Sequence, residues 1–238
     1  MIRRSLNKKS INLNTHRFSL LNRVVINQEF KLAYNRIQKN ANSSIVMLMH
    51  SIANNHHSDV GLAKEKLTSL RTMSLTEISE LHSYKFFTVV RNPYSRTLSA
   101  FLDKFRREDF RQLYGDFSLD KKGFSKFLRW LDEGGIHENS HWDLQAKQLL
   151  IPITQFDHVF RFENFSEELL AFLENMGVTK KNLNLSKSVR TPRGRIHNTQ
   201  ADDLVKYFYD NDNKQIIRSC LKEDFEILDY DLDGLGTE

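Results

Sequence analysis

The sequence predicts an α/β fold: a single domain with a central, mostly parallel sheet flanked by helices. Three observations carry that expectation. An apolar, strand-like run followed by a polar loop and a segment of helical period occurs three times, near residues 30–52, 85–105 and 158–176. The chain has 238 residues, 39% of them hydrophobic and 11% aromatic, which is enough for one substantial core. With 3 Pro, 9 Gly and no low-complexity tract, it has the composition of a folded protein and not of a linker.

The elements follow in order. Phe30 to Ile37 (FKLAYNRI) alternates like a strand and runs through the polar segment Gln38–Asn42 into a helix from Ile45, whose buried face is Ile45, Leu48, Met49 and Ile52. Ser43 and Ser44 stand where hydroxyls cap free backbone N–H groups. Residues 54–82 read as a polar surface connection, with a short helix at Leu75 to Leu81 opened by Ser74 or Thr76. Lys85 to Val90 (KFFTVV) has the β-branched and aromatic content of a buried parallel strand. Asn92-Pro93 is an N-cap followed by proline at the first helical position, opening a helix to about Phe105. Leu98, Phe101, Leu102 and Phe105 form its inward stripe, with Arg96, Ser99 and Asp103 on a different face. A helix at Phe124 to Leu131, a strand at His158 to Phe162 and a helix at Ser166 to Met176 stopped by Gly177 come next. The tail from Ala201 to Asp229 predicts two helices, DDLVKYFY and QIIRSCLKEDFEIL. Residues 1–29 form a basic N-terminal segment and residues 30–238 the folded domain.

Lys and Arg outnumber Asp and Glu by 35 to 30, which suits an anionic ligand without specifying one. Cys220 is the sole cysteine, so neither an intrachain disulfide nor a cysteine-based zinc site can be built, and a reducing, cytoplasmic setting is expected. No apolar run reaches the length of a signal core or membrane span. The basic start, Arg3 to Arg23, leaves a peripheral contact with an acidic membrane surface open, beside the simpler reading of a solvated terminus.

Two segments carry chemistry. The loop Gln38 to Ser44 (QKNANSS) joins a strand to a helix N-terminus, where unpaired N–H groups and the helix dipole favour an anion, and Lys39 adds a full charge. It contains no glycine and is not a Walker A loop. The segment Arg91 to Phe101 (RNPYSRTLSAF) puts Arg91 at the mouth of a buried strand and Ser99 about two turns into the next helix, a donor fork and a hydroxyl suited to phosphate oxygens. Taken singly, each also fits an ordinary capped helix; together they describe an anion site with two corners.

The pair resembles the two donor-binding segments of sulfotransferases. His141-Trp142 with Gln145, then Val159 to Asn164 (VFRFEN), then Asp224-Phe225-Glu226 and Tyr230 are similar, in the same order, to the chondroitin 4-sulfotransferase and HNK-1 sulfotransferase branch of carbohydrate sulfotransferases. The resemblance spans roughly residues 32–230 and points to a compact, bacterial-type member. It implies a sulfotransferase (P-loop-kinase-like) fold, the donor 3′-phosphoadenosine 5′-phosphosulfate (PAPS), and an oligosaccharide, polysaccharide or glycolipid acceptor, with no metal and no nucleic acid. By that resemblance Lys39, Asn40, Ala41, Asn42, Ser43 and Ser44 hold the 5′-phosphosulfate, with Lys39 stabilising the leaving phosphate, and Arg91 and Ser99 hold the 3′-phosphate. On this resemblance the chain is expected to depart from the membrane-anchored Golgi members, with neither their N-terminal anchor nor their luminal cysteines; Ala41 and Asn42 stand where a Cys or Gly-like residue is usual, and Asn92 where Asp is common.

An acceptor hydroxyl needs a base near neutral pH, for which His141 is the first candidate and Glu163 the reserve. A His141 that merely pairs with a carbonyl or stacks beside Trp142 fits the sequence nearly as well. Arg190, Arg193 and Arg195 around Gly194 form a basic loop, suited either to closing over the nucleotide or to plain solvation. A nucleotide-dependent kinase is the alternative enzyme, weakened by the missing Gly-rich loop and Walker B aspartate. A non-catalytic polyanion or nucleic-acid binder is weakened by dispersed basic residues, and a degenerate donor-binding fold by the presence of both Lys39 and Arg91.

Overall fold

The structure, a computed structural model, describes residues 18–54, 60–66, 68–179 and 200–235. The strands are β1 (Val24–Asn27), β2 (Leu32–Asn35), β3 (Lys85–Val90) and β4 (His158–Arg161). The α-helices are α1 (Asn42–Asn54), α2 (Val60–Glu65), α3 (Leu75–Ser79), α4 (Pro93–Lys104) and α5 (Glu108–Tyr114). They continue with α6 (Lys121–Asp132), α7 (Phe165–Asn175), α8 (Ala201–Phe208), α9 (Asn211–Cys220) and α10 (Lys222–Ile227). The described residues fall into two compact units, one drawn from 1–90 and 148–196, the other from 91–147 and 197–238. Among them no helix is long and apolar enough to cross a membrane.

The first unit holds the sheet, in the order β1-β2-β3-β4. β2, β3 and β4 are parallel, as the repeated strand-to-helix pattern predicts, so their carboxyl ends share one edge. Tyr34 stacks on Phe87 with ring centroids 5.1 Å apart, and Phe160 and Phe172 pack edge-on or tilted around them. Ile45, Leu48, Met49 and Ile52 of α1 are buried against this core as expected. α7 ends where Gly177 takes φ +86°, with Val178 N–H donating to Leu173 O and Gly177 N–H to Glu174 O, the paired bonds of a glycine-terminated helix.

Several expectations need correction here. β1 lies within the stretch read as a basic N-terminal segment and pairs antiparallel with β2; four residues, VVIN, are too few to show alternation. α1 begins at Asn42, so Ser43 and Ser44 occupy its first turn and do not cap it. Residues 54–82 are more than a surface connection, because Leu70, Met73, Ile78 and Leu81 are buried in a second cluster with Leu150 and Ile151. Within that stretch α3 is opened by Ser74, one of the two residues its sequence offered, in a reciprocal capping box with Glu77.

The second unit is helical. Asn92 caps α4 by accepting from Tyr94 N–H at 2.9 Å, with Pro93 at the first position. Leu98, Phe101, Leu102 and Phe105 are buried as expected, and Phe101 and Phe105 sit among Phe124, Phe127, Phe208 and Trp142. The face assigned to Arg96 and Ser99 is buried too: the Arg96 guanidinium donates to Asp143 O at 2.9 Å and Ser140 O at 3.2 Å. Periodicity marks the apolar stripe but not the polar side chains that carbonyls satisfy. The second tail helix divides at Leu221, where φ −114° and ψ 22° separate α9 from α10.

Cys220 at the end of α9 donates to Asp132 Oδ1 at 3.3 Å, and burial together with that carboxylate pushes its thiol up to about 12. Alkylation by iodoacetamide at pH 8 is therefore expected to be at least about a hundredfold slower than for a free cysteine, and to reach the ordinary rate only in urea.

Candidate active site

In the first unit, the loop between β2 and α1 is assembled from below. Asn35, the last residue of β2, donates to Gln148 O at 3.0 Å and accepts from Leu150 N–H at 2.8 Å, fixing that segment beneath the loop. Gln148 Oε1 then accepts from Gln38 N–H and from Arg23, each at 3.2 Å. Asn40 is fully buried and donates to Val89 O at 2.8 Å, tying the loop to the end of β3. Lys39 at φ +70° and Ala41 at φ +54° both occupy the left-handed region without being glycine. Each such residue costs about 1–2 kcal/mol, so the surrounding bonds hold a conformation that these side chains disfavour.

That conformation turns the chain so that Ala41 O accepts the first helical bond from Ile45 N–H at 3.0 Å. The amides of Asn42, Ser43 and Ser44 then lie in the first turn of α1, where no preceding helical carbonyl exists to receive them. Arg36 Nε donates to Asn42 Oδ1 at 2.8 Å, and burial lowers the Arg36 pKa, a cation left short of solvent near that turn. Lys39 itself is half-buried. Open amides, a helix dipole and two cations together make this loop chemically suited to a phosphate or sulfate group.

In the second unit, Arg91 follows β3 directly and is held by its own backbone. Gln145, fully buried, accepts from Arg91 N–H at 3.0 Å and donates to Arg91 O at 2.8 Å. Gln145 is anchored in turn by Asp224, whose carboxylate accepts from Gln145 N–H at 2.8 Å and Ala146 N–H at 2.9 Å. Burial pushes the Asp224 carboxyl above its ordinary range, against the pull of Arg96 and of those two amides. Asp224→Asn leaves one of the amides facing an NH2 group and is expected to destabilise the protein by about 1–3 kcal/mol in urea unfolding.

The side chain of Arg91 has partners of its own. Nε donates to Ser95 Oγ at 3.0 Å and Nη2 pairs with Asp202 Oδ1 at 2.8 Å, with the Arg91 side chain 4% exposed and that of Asp202 38%. Ser99, also buried, lies one turn beyond Ser95 on the same face of α4. Ser95 joins Arg91 and Ser99 as a residue of this corner, and the four-residue spacing from Arg91 through Ser95 to Ser99 is its signal in the sequence. Asp202 left none, because 111 residues separate it from Arg91.

The remaining candidates divide between the units. His141 is half-buried in the second unit, with its ring edge-on to Phe110 and its Nδ1 2.6 Å from Asn139 Oδ1. Glu163 is exposed in the first, just past the end of β4. Arg190, Arg193, Gly194 and Arg195 lie outside the described residues. Among the described residues no group of three or more His, Cys, Asp or Glu is placed to hold a metal ion.

The three parallel strands carry polar, basic turns at their carboxyl ends, where α/β sheets commonly take ligands. The sulfotransferase family profile matches residues 22–231, and the chain belongs to the sulfotransferase family. It is similar to carbohydrate sulfotransferase 9 of Homo sapiens, 23% identical over 253 residues that cover 91% of this chain and 54% of that protein. It is also similar to carbohydrate sulfotransferase 14 of Danio rerio, 25% identical over 256 residues covering 93% of this chain and 66% of that protein. The chain thus spans between about half and two thirds of the length of these curated relatives. No solved structure matches it.

Proposed function

We propose that this chain transfers the sulfuryl group of PAPS to a hydroxyl on a carbohydrate. The observation that carries the proposal is the Lys39–Ser44 loop: a glycine-free turn, held in a left-handed conformation at Lys39 and Ala41, that leaves the first-turn amides of a 13-residue helix without helical carbonyl partners. Family membership and the names of the two relatives support both the reaction and the acceptor class.

In this reading the amides and hydroxyls of Ser43 and Ser44 hold the 5′-phosphate and Lys39 neutralises the charge that develops on it as the S–O bond breaks. Arg91 and Ser99 hold the 3′-phosphate. Ser95 already touches Arg91 Nε, so it orients the guanidinium for that task. His141 accepts the proton of the attacking hydroxyl. In-line transfer then needs no covalent enzyme intermediate.

The test is to incubate the protein with PAPS carrying labelled sulfur and a panel of neutral, amino and uronic-acid oligosaccharides. Labelled glycan with stoichiometric release of 3′-phosphoadenosine 5′-phosphate is the expected result. Absence of transfer to every glycan, together with transfer to a small phenol or alcohol, would overturn the carbohydrate assignment.

A further inference from the structure

The surroundings of His141 determine which of its ring nitrogens carries the proton. The backbone N–H of His141 donates to Asn139 Oδ1 at 3.0 Å. A backbone amide nitrogen can only donate, so this contact requires the Asn139 oxygen, not its NH2, to face His141. The imidazole Nδ1 lies 2.6 Å from that same oxygen. An amide oxygen only accepts, so Nδ1 carries a proton, and in the neutral imidazole the lone pair is then on Nε2.

The other end of Asn139 agrees. Its Nδ2 donates to the Tyr114 hydroxyl at 2.9 Å, and the Tyr114 ring is fixed edge-on to Trp142 at 5.0 Å and against Phe110 at 5.6 Å. Asn139 is therefore held on both sides, by α5 through Tyr114 and by the turn in which Asn139 O accepts from Trp142 and Asp143 N–H. These last bonds use the backbone alone, so replacing the side chain leaves them in place.

We propose that Asn139 is a positioning residue that sets the tautomer and the ring orientation of His141, so that Nε2 is the atom presented to the acceptor. The inference rests on the reading of His141 as the base. The acceptor hydroxyl gives its proton to Nε2 as its oxygen bonds to sulfur. The bond from sulfur to the bridging oxygen breaks with its electron pair going to the 5′-phosphate, and His141 leaves the step as an imidazolium. Asn139 Oδ1 accepts from Nδ1–H before and after, so no proton moves through Asn139 or Tyr114.

Long-range nitrogen–proton NMR of protein with labelled histidine, with the signals assigned through His141→Ala, reads the tautomer directly. Wild type is expected to show His141 with the proton on Nδ1. Asn139→Ala should lose that preference and lower kcat about ten- to a hundredfold with donor affinity unchanged. Asn139→Asp, which keeps an acceptor oxygen for Nδ1–H and can accept from the Tyr114 hydroxyl, should restore both the tautomer and most of the turnover. A wild-type proton on Nε2, or an Asn139→Ala protein with an unchanged His141 spectrum, would overturn the positioning role. An intact Nδ1–H signature with undiminished turnover by His141→Ala would instead remove His141 as the base, and the proposal with it.

Discussion

Lys39→Gly is expected to yield a protein that is more stable than wild type and far less active. Glycine removes the cost of holding a side chain at φ +70°, so urea unfolding should show a gain of about 0.5–1 kcal/mol. Sulfuryl transfer should fall about a hundred- to a thousandfold in kcat, the range for losing one preorganised charge at the leaving group. The affinity for 3′-phosphoadenosine 5′-phosphate, whose 5′-phosphate carries in full the charge that Lys39 meets, should fall by about tenfold or more, with the amides of α1 retaining the rest of the binding. Lys39→Ala separates the two effects: it removes the ammonium while retaining the left-handed strain, so its stability should stay near wild type while its kcat falls as far. A stable Lys39→Gly protein with wild-type kcat would show that the strained loop serves something other than transfer.

Arg91→Ala is expected to erase the distinction between 3′-phosphoadenosine 5′-phosphate and ADP. One charge-assisted donor fork to a phosphate is worth about 2–3 kcal/mol, which converts to a rise in Kd of about 30- to 140-fold for the 3′-phosphorylated nucleotide and little change for ADP. The structure adds a sharper expectation, since Arg91 is already paired with Asp202. A 3′-phosphate engaging Arg91 meets that carboxylate as a competitor and as a like charge. Asp202→Asn should therefore tighten binding of the 3′-phosphorylated nucleotide by roughly three- to tenfold, a modest change in keeping with the exposure of Asp202. Titration calorimetry on the three proteins, each first shown to unfold cooperatively, checks both. Weaker binding by Asp202→Asn would mean that Asp202 orients Arg91 for the nucleotide and does not oppose it.

The parallel strands and the helices after them were legible because each announces itself locally. KFFTVV is a strand at Lys85–Val90 in the structure as in the sequence, and Asn92-Pro93 opens its helix as a cap and first residue must. Gly177 stops α7 for the same kind of local reason. What escaped was set by distant residues. β1 is defined by pairing with β2 and not by its own four residues. Leu70 and Ile78 look like scattered apolar positions in a polar stretch until a second cluster covers them.

The candidate site divides in the same way. Lys39, Ser43, Ser44, Arg91 and Ser99 could be named from the chemistry of a loop and a helix start. The left-handed turns at Lys39 and Ala41 could not, since nothing in KNA requires positive φ and bonds from Asn40 to Val89 and from Gln38 to Gln148 impose it. Gln145 and Asp224 entered the sequence reading only as words in a familiar order. Their bonds show what the residues do: Asp224 holds Gln145, and Gln145 holds the backbone of Arg91 from both sides.

The most direct measurement is the affinity of the wild-type protein for 3′-phosphoadenosine 5′-phosphate, ADP and ATP with Mg²⁺, by titration calorimetry in one buffer. Binding of the 3′-phosphorylated nucleotide at least about thirtyfold tighter than ADP, independent of Mg²⁺, is the result expected of a PAPS-dependent sulfotransferase. Equal affinity for all three, or a preference for ATP that depends on Mg²⁺, would contradict that reading and bring a kinase forward in its place.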